Sequence, residues 1–553
     1  MRVNKIDGQI IWGIAPGEPV LSGGSFDDRL VQLRSQRIND AVAETDLVYD
    51  QQNDIACSIL GYILNREDLR TTHQLEATED QEIIIELYKK FGVDFQYHLD
   101  GIFLITLYDR KSKRLYLLTD SFGFILPVYY SQKPDSLVFS TSLKQLLTKT
   151  GIHPVMNQDA LRDLLYSQKC IPNELTLVDE VHKIPAGFRM EVDMATKAVH
   201  LRKTNWKIKK RKREDAKRGL LAQVKANVSG LLPYSGSRRA VTLSSGFDTN
   251  LVLYLLSEFS GVPLSSYTIG GKEFDEIPAV KKIVAHYPSV DARYRHVPET
   301  RLNSLPDIVW DLEGYLYEGG IYLMDELGAL LESTNKMTAF TGEGGDGLFN
   351  SYKNMRIQKI RMSLIGTIHG YIYYRFIRPL FHLQSPEIQV LKKFRRVKAP
   401  SLFSKGRDLN LKKMGILLNA HGIMPLNPFL SLEYRSYCKA LGKRLSRKKR
   451  FYKKEVRKVV PPEVSEILAK LDGATDTWYL LEPYLHLLEP LLNSELCKRL
   501  LSERDRNKIQ RNPDKFEALI HQLFFIYTFQ ELFLSGKYDF RMDRPGVTLE
   551  ELF

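Results

Sequence analysis

One ten-residue stretch, residues 241–250, constrains the fold of this chain more than any other. It reads Val-Thr-Leu-Ser-Ser-Gly-Phe-Asp-Thr-Asn, and a second apolar run, residues 251–256, follows it directly. This succession predicts a buried strand, a tight loop and a helix. The loop amides and the helix N-terminus can converge on an anion, and small residues let a phosphate approach the backbone. Asp248 suits a magnesium ion that accompanies the phosphate.

A second glycine-rich loop favours a ligand site over an ordinary turn. Alone, the first loop is equally consistent with a strand-to-helix turn that Ser245 or Asp248 caps. Residues 339–349, Ala-Phe-Thr-Gly-Glu-Gly-Gly-Asp-Gly-Leu-Phe, again place glycines around two carboxylates, Glu343 and Asp346. Because ligands of α/β domains bind at the carboxyl ends of strands, two such loops predict one nucleotide site with magnesium.

Together the two loops resemble the synthetase domain of the asparagine synthetase family. In that family the first loop reads Ser-Gly-Gly-X-Asp-Ser and the second reads Gly-Glu-Gly-X-Asp-Glu. Here Ser245, Thr249 and Gly347 depart from these patterns. Residues 59–70 and 97–130 resemble the N-terminal domain of the same family, so the resemblance covers most of the chain from residue 55 to residue 350.

The resemblance implies an α/β protein of two domains. Residues 1–205 are expected to form an N-terminal-nucleophile-type (Ntn-hydrolase-like) α/β/β/α sandwich, similar to a glutamine amidotransferase domain. Residues 206–553 are expected to form an adenine-nucleotide-hydrolase-like (PP-loop) α/β domain with a helical C-terminal part. A chain of 553 residues is long enough for both.

The resemblance also implies roles for the loop residues, with ATP and Mg²⁺ as cofactors. Four of these residues are expected to border adenosine, four to bind pyrophosphate, and two aspartates to bind the magnesium ion. The expected residues are Leu243, Ile269, Thr341 and Gly342 for adenosine, Ser244, Ser245, Gly246 and Thr249 for pyrophosphate, and Asp248 and Asp346 for magnesium.

Two catalytic residues complete this expectation. Glu343 is placed to act as the base for the attacking amine or to position it, and otherwise it orients the loop. A lysine that follows a Pro-Pro-Glu-Val segment in the family stabilises the tetrahedral intermediate and the leaving AMP. Here that segment is residues 461–464, and Lys470 is the candidate, with an ordinary helix-surface lysine as the alternative.

Cysteine usage bears on the source of nitrogen. Glutamine-dependent members of the family carry a nucleophilic cysteine as their second residue, whose own α-amine is the base. Here Arg2 stands at that position, and the four cysteines are Cys57, Cys170, Cys438 and Cys497. The N-terminal domain is therefore expected not to hydrolyse glutamine. The family members that share this loss include β-lactam synthetases, carbapenam synthetases and lasso-peptide macrolactam cyclases.

These observations predict an ATP-dependent, AMP-forming carbon–nitrogen ligase that adenylates a carboxylate and lets an amine attack it. The favoured form is a lasso-type peptide macrolactam cyclase of ribosomal peptide (antibiotic) biosynthesis, with a leader-peptide protease as partner. One alternative is an ammonia-dependent amidotransferase that acts on a small acid or a polysaccharide precursor. The others are a β-lactam synthetase and, if the Ser245 side chain crowds the phosphate, a non-catalytic scaffold.

The net charge of +13 raises the question of nucleic acid, because a basic chain attracts phosphate backbones. The basic residues cluster at 203–218, 391–398 and 439–458, but no recognisable binding motif accompanies them. We interpret them as a solvated linker and helix faces, with attraction for an acidic peptide substrate or for the phosphates of ATP as the alternative. His369, Arg375 and Arg378 interrupt the most apolar stretch, residues 362–383, which predicts no membrane span. Without a signal-peptide pattern, a cytoplasmic location is expected.

Overall fold

The structure is a computed structural model, and it describes most of the chain. The described residues are 5–12, 19–22, 25–36, 47–167, 171, 174–259, 263–272, 275–316, 319–348, 402–446, 449–468 and 477–553. Lys470, Cys170 and the predicted segments 362–383 and 391–398 lie outside them.

The strands before residue 204 form two antiparallel sheets. Their bounds are β1 Lys5–Ile11, β2 Val20–Ser22, β3 Ser25–Asp27, β4 Val31–Gln36, β5 Leu47–Asp50, β6 Ile55–Ile63, β7 Gly101–Asp109, β8 Arg114–Thr119, β9 Tyr129–Gln132, β10 Ser136–Ser140, β11 His182–Lys183, β12 Phe188–Asp193 and β13 Ala198–Lys203. The first sheet has the order β11-β9-β10-β1-β4-β3-β2, and the second has the order β13-β12-β8-β7-β6-β5.

The central strands of the second sheet are buried on both faces. Tyr62 of β6 and Tyr108 of β7 pack towards the first sheet, whereas Ile59 and Ile105 pack on the opposite side against a helix, α2 (Asp80–Phe91). Helices α3 (Leu143–Thr150) and α4 (Gln158–Ser167) share a core with β9 and β10 of the first sheet. Helices outside two stacked sheets make the predicted α/β/β/α sandwich.

The rest of the described chain is built on a parallel sheet. Its strands are β14 Arg239–Thr242, β15 Leu264–Gly270, β16 Val290–His296, β17 Thr338–Phe340 and β18 Met424–Leu426, in the order β16-β15-β14-β17-β18. β14 pairs with both β15 and β17, so the carboxyl ends of these three strands lie side by side. The mixed α/β class is therefore as predicted, whereas the division at residue 205 stays a prediction.

Helices cover this sheet and form the C-terminal part. In the described residues the α-helices are, in addition to those above, α1 Arg66–His73, α5 Arg213–Ser235, α6 Phe247–Glu258, α7 Ile277–Val284, α8 Leu305–Leu312, α9 Ile321–Ser333, α10 Gly345–Leu348, α11 Leu402–Ala420, α12 Leu432–Ala440, α13 Gly442–Ser446, α14 Arg450–Val459, α15 Pro462–Ile467, α16 Trp478–Leu481, α17 Leu488–Asn493, α18 Glu495–Leu500, α19 Glu503–Arg511 and α20 Glu517–Phe529. Within the described ranges, no helix combines the length and the apolar character that crossing a bilayer requires.

The basic linker is not solvated throughout. The side chain of Arg211 is 12% exposed and forms an ion pair with Glu433 of α12. Its guanidinium carbon lies 3.9 Å from the centre of the Tyr437 ring, and its Nε donates to Ser436 at 2.6 Å. The prediction of a solvated linker is therefore wrong at Arg211, because packing against α12 removes this residue from water.

His421 follows α11 and joins it to α9. Its ring nitrogens lie 2.8 Å from the carboxylates of Asp325 and Glu332, and Arg544 lies 3.3 Å from its Nε2. Burial alone lowers the pKa of His421, but the two carboxylates outweigh burial and raise it above the ordinary value. Burial raises the pKa of Asp325, whereas His421 and Arg301 together bring it below the ordinary value.

Thermal stability is therefore expected to depend on pH through both His421 and Asp325, on the alkaline side of neutrality for the histidine and on the acidic side for the aspartate. A histidine with a raised folded-state pKa stabilises below its unfolded-state value of ~6.5, and its contribution is lost as the pH rises through the folded-state pKa. The contribution of Asp325 is present above ~3.9 and is lost as the pH falls. We expect the midpoint of thermal unfolding to fall between pH 6 and pH 9 by less in His421→Gln than in the wild type. A His486→Gln control should follow the wild type, and an unchanged profile in His421→Gln would contradict the assignment.

Candidate functional site

The first predicted loop connects β14 to α6 at the centre of the parallel sheet. The amide of Leu243 donates to the carbonyl of Tyr267 at 2.8 Å, which extends the pairing of β14 with β15 to the loop. Gly246 is the N-cap of α6, and no side chain in the described part of the chain caps this helix. The first-turn amides of α6 are therefore available to an anion, in the direction that the helix dipole favours.

Side chains engage the loop amides before α6. The amide of Ser244 donates to Thr249 Oγ1 at 3.2 Å, and the amide of Gly246 donates to Ser244 Oγ at 3.2 Å. The amide of Ser245 donates to the carboxylate of Glu276, the N-cap of α7, at 3.1 Å. A carboxylate thus already occupies one donor of the predicted pyrophosphate cradle, and a phosphate bound at that amide would displace Glu276.

The Ser245 side chain is directed at Glu276. It is 1% exposed, and its hydroxyl lies 3.4 Å from Glu276 Oε1. We therefore expect Ser245→Gly to change the dissociation constant of ATP by less than ~3-fold, because a hydrogen bond as long as the one to Glu276 contributes little. Ser244→Ala removes the acceptor of the Gly246 amide and should weaken binding by ~10-fold, as calorimetry would measure. If Ser245→Gly tightened ATP binding ten-fold instead, the serine would be crowding the phosphate.

The second predicted loop lies directly against the first. A Cβ on Gly342 would come within 2.8 Å of Thr249 Cγ2 and 3.1 Å of Asp248 Cβ. A Cβ on Gly345 would come within 2.9 Å of Asp248 Oδ2. Real side chains do not approach this closely, so glycine at these positions is what allows the loops to touch. The structure thus brings the two predicted motifs together around Asp248.

A lysine that the sequence analysis did not single out completes this junction. The side chain of Lys449 is 4% exposed, and its ammonium group forms an ion pair with Asp248 Oδ2. Lys449 precedes α14 in a left-handed conformation, with φ at 53°. It belongs to the basic cluster 439–458, and the interpretation of that cluster as a solvated helix face is wrong for Lys449. No signal in the sequence separates Lys449 from the other lysines of that cluster.

The other carboxylate oxygen of Asp248, Oδ1, is a candidate ligand for the predicted magnesium ion. Asp248 Oδ1 is buried and has no hydrogen-bond partner among the described residues, although buried polar atoms are ordinarily satisfied. An unsatisfied carboxylate oxygen next to a phosphate-type loop fits Mg²⁺, which protein carboxylates and substrate phosphates hold together. Asp346 lies in α10, whose first residue, Gly345, contacts Asp248. Among the described residues, no group of three metal-binding side chains is assembled.

The predicted adenosine residues lie at the ends of adjacent strands. Leu243 follows β14, Ile269 lies in β15, and Thr341 and Gly342 follow β17. Leu243 is 4% exposed and Thr341 is fully buried, while Ile269 is half-buried. This placement gives a base an apolar strand edge to lie against. Their assignment to adenosine stays a prediction.

Glu343 stands between the two glycines that face the first loop. Its side chain is half-buried, and its carbonyl accepts a hydrogen bond from the Asn427 side chain at 2.8 Å. The backbone at this point is therefore held from β18. The roles of Glu343 and of Lys470 stay predictions, and the structure offers Lys449 as a cation beside the loops.

The described cysteines are not activated thiols. Cys57, Cys438 and Cys497 are buried. Burial raises the pKa of all three, to about 11 for Cys497 and further for the other two. Because the thiolate is the nucleophile, none of these three cysteines is suited to nucleophilic catalysis.

Two segments of the chain match known protein families. Residues 40–205 match the glutamine amidotransferase domain family, and residues 234–408 match the asparagine synthase family. A Methanocaldococcus jannaschii protein named for a glutamine-hydrolysing asparagine synthetase is 25% identical over 60% of this chain and 66% of its own length. Asparagine synthetase 1 of Bacillus subtilis is 24% identical over 54% and 47%, and the human enzyme is 24% identical over 53% and 53%. The chain thus spans about half to two thirds of the length of these relatives.

Similarity to solved structures is weak. A glutamine phosphoribosylpyrophosphate amidotransferase from B. subtilis matches with 8% sequence identity and a TM-score of 0.26, covering 53% of this chain and 81% of that chain. A TM-score this low does not show a shared fold.

Proposed function

Since the chain belongs to the asparagine synthetase family, we propose that it is an ATP-dependent, AMP-forming carbon–nitrogen ligase. In the proposed reaction a substrate carboxylate attacks the α-phosphorus of ATP and pyrophosphate leaves. An amine then attacks the acyl carbon of the adenylate, and AMP departs. The observation that carries this proposal is the contact between the two glycine loops, with Asp248 and Lys449 at their junction.

Positive groups around the loops would hold the phosphates. The first-turn amides of α6 have no side-chain cap, and Lys449 contributes a buried ammonium group beside them. A carboxylate and ATP are both anionic, so their approach requires positive charge at the point of attack. Binding of pyrophosphate at Ser245 would displace Glu276 from the loop amide, and this exchange of one anion for another keeps the donor satisfied.

Asp248 and Asp346 would hold the magnesium ion. The unsatisfied Oδ1 of Asp248 is the oxygen available to a cation, because Oδ2 already pairs with Lys449. Bound there, magnesium would offset the negative charge of the phosphates. The side chain of Glu343 would accept the proton of the attacking amine or position it, while its carbonyl stays fixed by Asn427.

Within this class we favour an amine that belongs to the substrate itself, as in a lasso-type peptide macrolactam cyclase of natural-product biosynthesis. Support comes from the described cysteines, which are buried and have raised pKa values, so none of them offers an activated thiol for releasing ammonia from glutamine. A peptide substrate, a leader-peptide protease as partner and a cytoplasmic location belong to the same proposal.

The second candidate is an ammonia-dependent amidotransferase. The observation that favours it is Glu343, since the family resemblance places a glutamate at this position in enzymes that use ammonia, whereas β-lactam synthetases carry tyrosine there. A glutamate beside the acyl adenylate suits deprotonation of a small amine. A β-lactam synthetase is the third and less favoured form.

Nucleotide products distinguish these candidates. The purified chain would be incubated with ATP, Mg²⁺ and candidate acceptors, with and without ammonium, and AMP, ADP, pyrophosphate and phosphate would be quantified. AMP and pyrophosphate formed without ammonium, together with a peptide that loses one water, would establish a cyclase. AMP release that requires ammonium would establish the amidotransferase. ADP and phosphate in place of AMP would contradict both, and failure to bind ATP would support the scaffold alternative.

A further inference from the structure

A tyrosine of the N-terminal sandwich reaches into the parallel-sheet part of the chain. Tyr62 lies in β6, is fully buried, and its hydroxyl accepts a hydrogen bond from the backbone amide of Asn427 at 3.0 Å. Asn427 directly follows β18, at the edge of the parallel sheet. The contact joins residues that are 365 positions apart, so it exists only when the two parts of the chain are packed together.

Asn427 also forms hydrogen bonds with the second glycine loop. Its side-chain amide donates to Thr341 Oγ1 at 3.1 Å and to the carbonyl of Glu343 at 2.8 Å, and its carbonyl accepts from the Phe429 amide. The Thr341 amide in turn donates to the carbonyl of Leu426 at 2.9 Å. The side-chain nitrogen of Asn427 therefore holds the Thr341 hydroxyl and the Glu343 carbonyl, one on either side of Gly342.

Water cannot substitute for these contacts. Tyr62, Asn427 and Thr341 are each fully buried, so a donor or acceptor that loses its partner here remains unsatisfied. An unsatisfied buried amide is costly, and the backbone shifts to avoid it. If the Asn427 backbone shifts, the side-chain nitrogen that holds Thr341 and Glu343 shifts with it. The position of the loop thus depends on the Tyr62 hydroxyl.

We infer that Tyr62 is a positioning residue for the nucleotide loop, which gives the N-terminal domain a function that requires no glutamine hydrolysis. It acts through Asn427 on residues 341–343, the stretch that meets Thr249 and Asp248 of the first loop. The inference rests on the proposed function only in naming ATP as the ligand. The mechanical coupling of β6 to the loop stands on the hydrogen bonds alone.

The test compares Tyr62→Phe with Tyr234→Phe in the full-length chain. Tyr234 of α5 contacts the same surface of the sandwich, where its hydroxyl bonds Asp80 at 2.7 Å, and its ring lies 5.8 Å from that of Tyr62. Both variants lose one hydroxyl from the contact between the two parts of the chain, but only Tyr62→Phe removes the acceptor of the Asn427 amide. Tyr234→Phe is therefore a matched control for general loosening of the interface.

Two measurements are made, and the first needs no ligand. Hydrogen–deuterium exchange of the unliganded protein should show amides 341–345 exchanging ~10-fold faster in Tyr62→Phe and at the wild-type rate in Tyr234→Phe. Calorimetry with ATP and Mg²⁺, without any acceptor, should show ~10-fold weaker binding in Tyr62→Phe and a change below ~2-fold in Tyr234→Phe. In an Asn427→Ala background, Tyr62→Phe should add nothing to either value.

Equal exchange of amides 341–345 in the two tyrosine variants would overturn the inference. So would a full additional effect of Tyr62→Phe in the Asn427→Ala background, since the coupling would then bypass Asn427. If no variant and no wild-type protein bound ATP, the proposed function would fail, while the exchange measurement would still decide the role of Tyr62.

Discussion

Replacing Lys449 with methionine is expected to lower the rate of AMP formation by ~100-fold or more, the range found when one group that stabilises transition-state charge is removed. Methionine keeps the unbranched shape of the side chain, one atom shorter and without the charge, which leaves Asp248 without its buried counter-ion. The positive charge that the phosphates and the departing pyrophosphate require is lost at the same time. Rates of AMP release at saturating ATP and Mg²⁺ would measure the effect.

Lys453→Met is the matched control for this prediction. Lys453 lies in α14, close to Lys449 along the chain, and its ammonium group lies 5.1 Å from the centre of the Phe247 ring at the start of α6. Its ammonium group faces an aromatic ring of the same helix, so a loss below ~3-fold is expected. A Lys449→Met protein that folds and retains the wild-type rate would rule out Lys449 as the cation of the site.

The second large effect is expected from Asp248→Asn. Asparagine keeps the shape of the side chain but removes the charge that pairs with Lys449, and it offers a metal ion a neutral amide oxygen in place of a carboxylate. We expect AMP formation to fall by at least ~100-fold, and the Mg²⁺ concentration for half-maximal rate to rise. A magnesium titration at fixed ATP would separate the metal effect from loss of the ion pair.

Asp275→Asn is the control, because Asp275 precedes α7 near the same loops and its carboxylate engages the Ile277 amide at 3.0 Å and His296 at 3.1 Å. Its magnesium dependence should match the wild type. The double variant Asp248→Asn with Lys449→Met should lose less than the product of the two single losses, since the residues act as a pair. Unchanged magnesium dependence in Asp248→Asn would assign the metal to other ligands.

The sequence predicted the elements that carry the site because their signals are local. An apolar run, small polar residues and a resumed apolar run specify β14, its loop and α6, and a similar pattern specifies β17 and the loop before α10. Adjacent positions of β14 and β17 in a parallel sheet then follow from the general architecture of α/β domains. The sandwich was predicted through the resemblance of residues 59–70 and 97–130 to the family's N-terminal domain, and the strands joined by turns in residues 97–130 suited a β-sheet layer.

Charge partners were not predictable in the same way. Lys449 and Asp248 are 201 positions apart, and nothing in the basic cluster 439–458 distinguishes Lys449 from the lysines around it. It is buried because the chain takes a left-handed turn at Lys449 and α14 then packs beside α6. Lys470 was chosen instead from its spacing after a Pro-Pro segment, a signal that carries no information about spatial neighbours.

By itself, the sequence of this protein determined its fold class, its two glycine loops and the aspartate at their centre, because each is encoded in a few consecutive residues. Tertiary structure alone decided that Lys449 is the counter-ion of Asp248, that Glu276 occupies the Ser245 amide, and that Tyr62 holds Asn427. The physical reason is that a buried lysine, glutamate or tyrosine loses its contacts with water and must pair with another polar group of the protein. Which side chain is buried against which depends on the packing of elements that are distant in the chain.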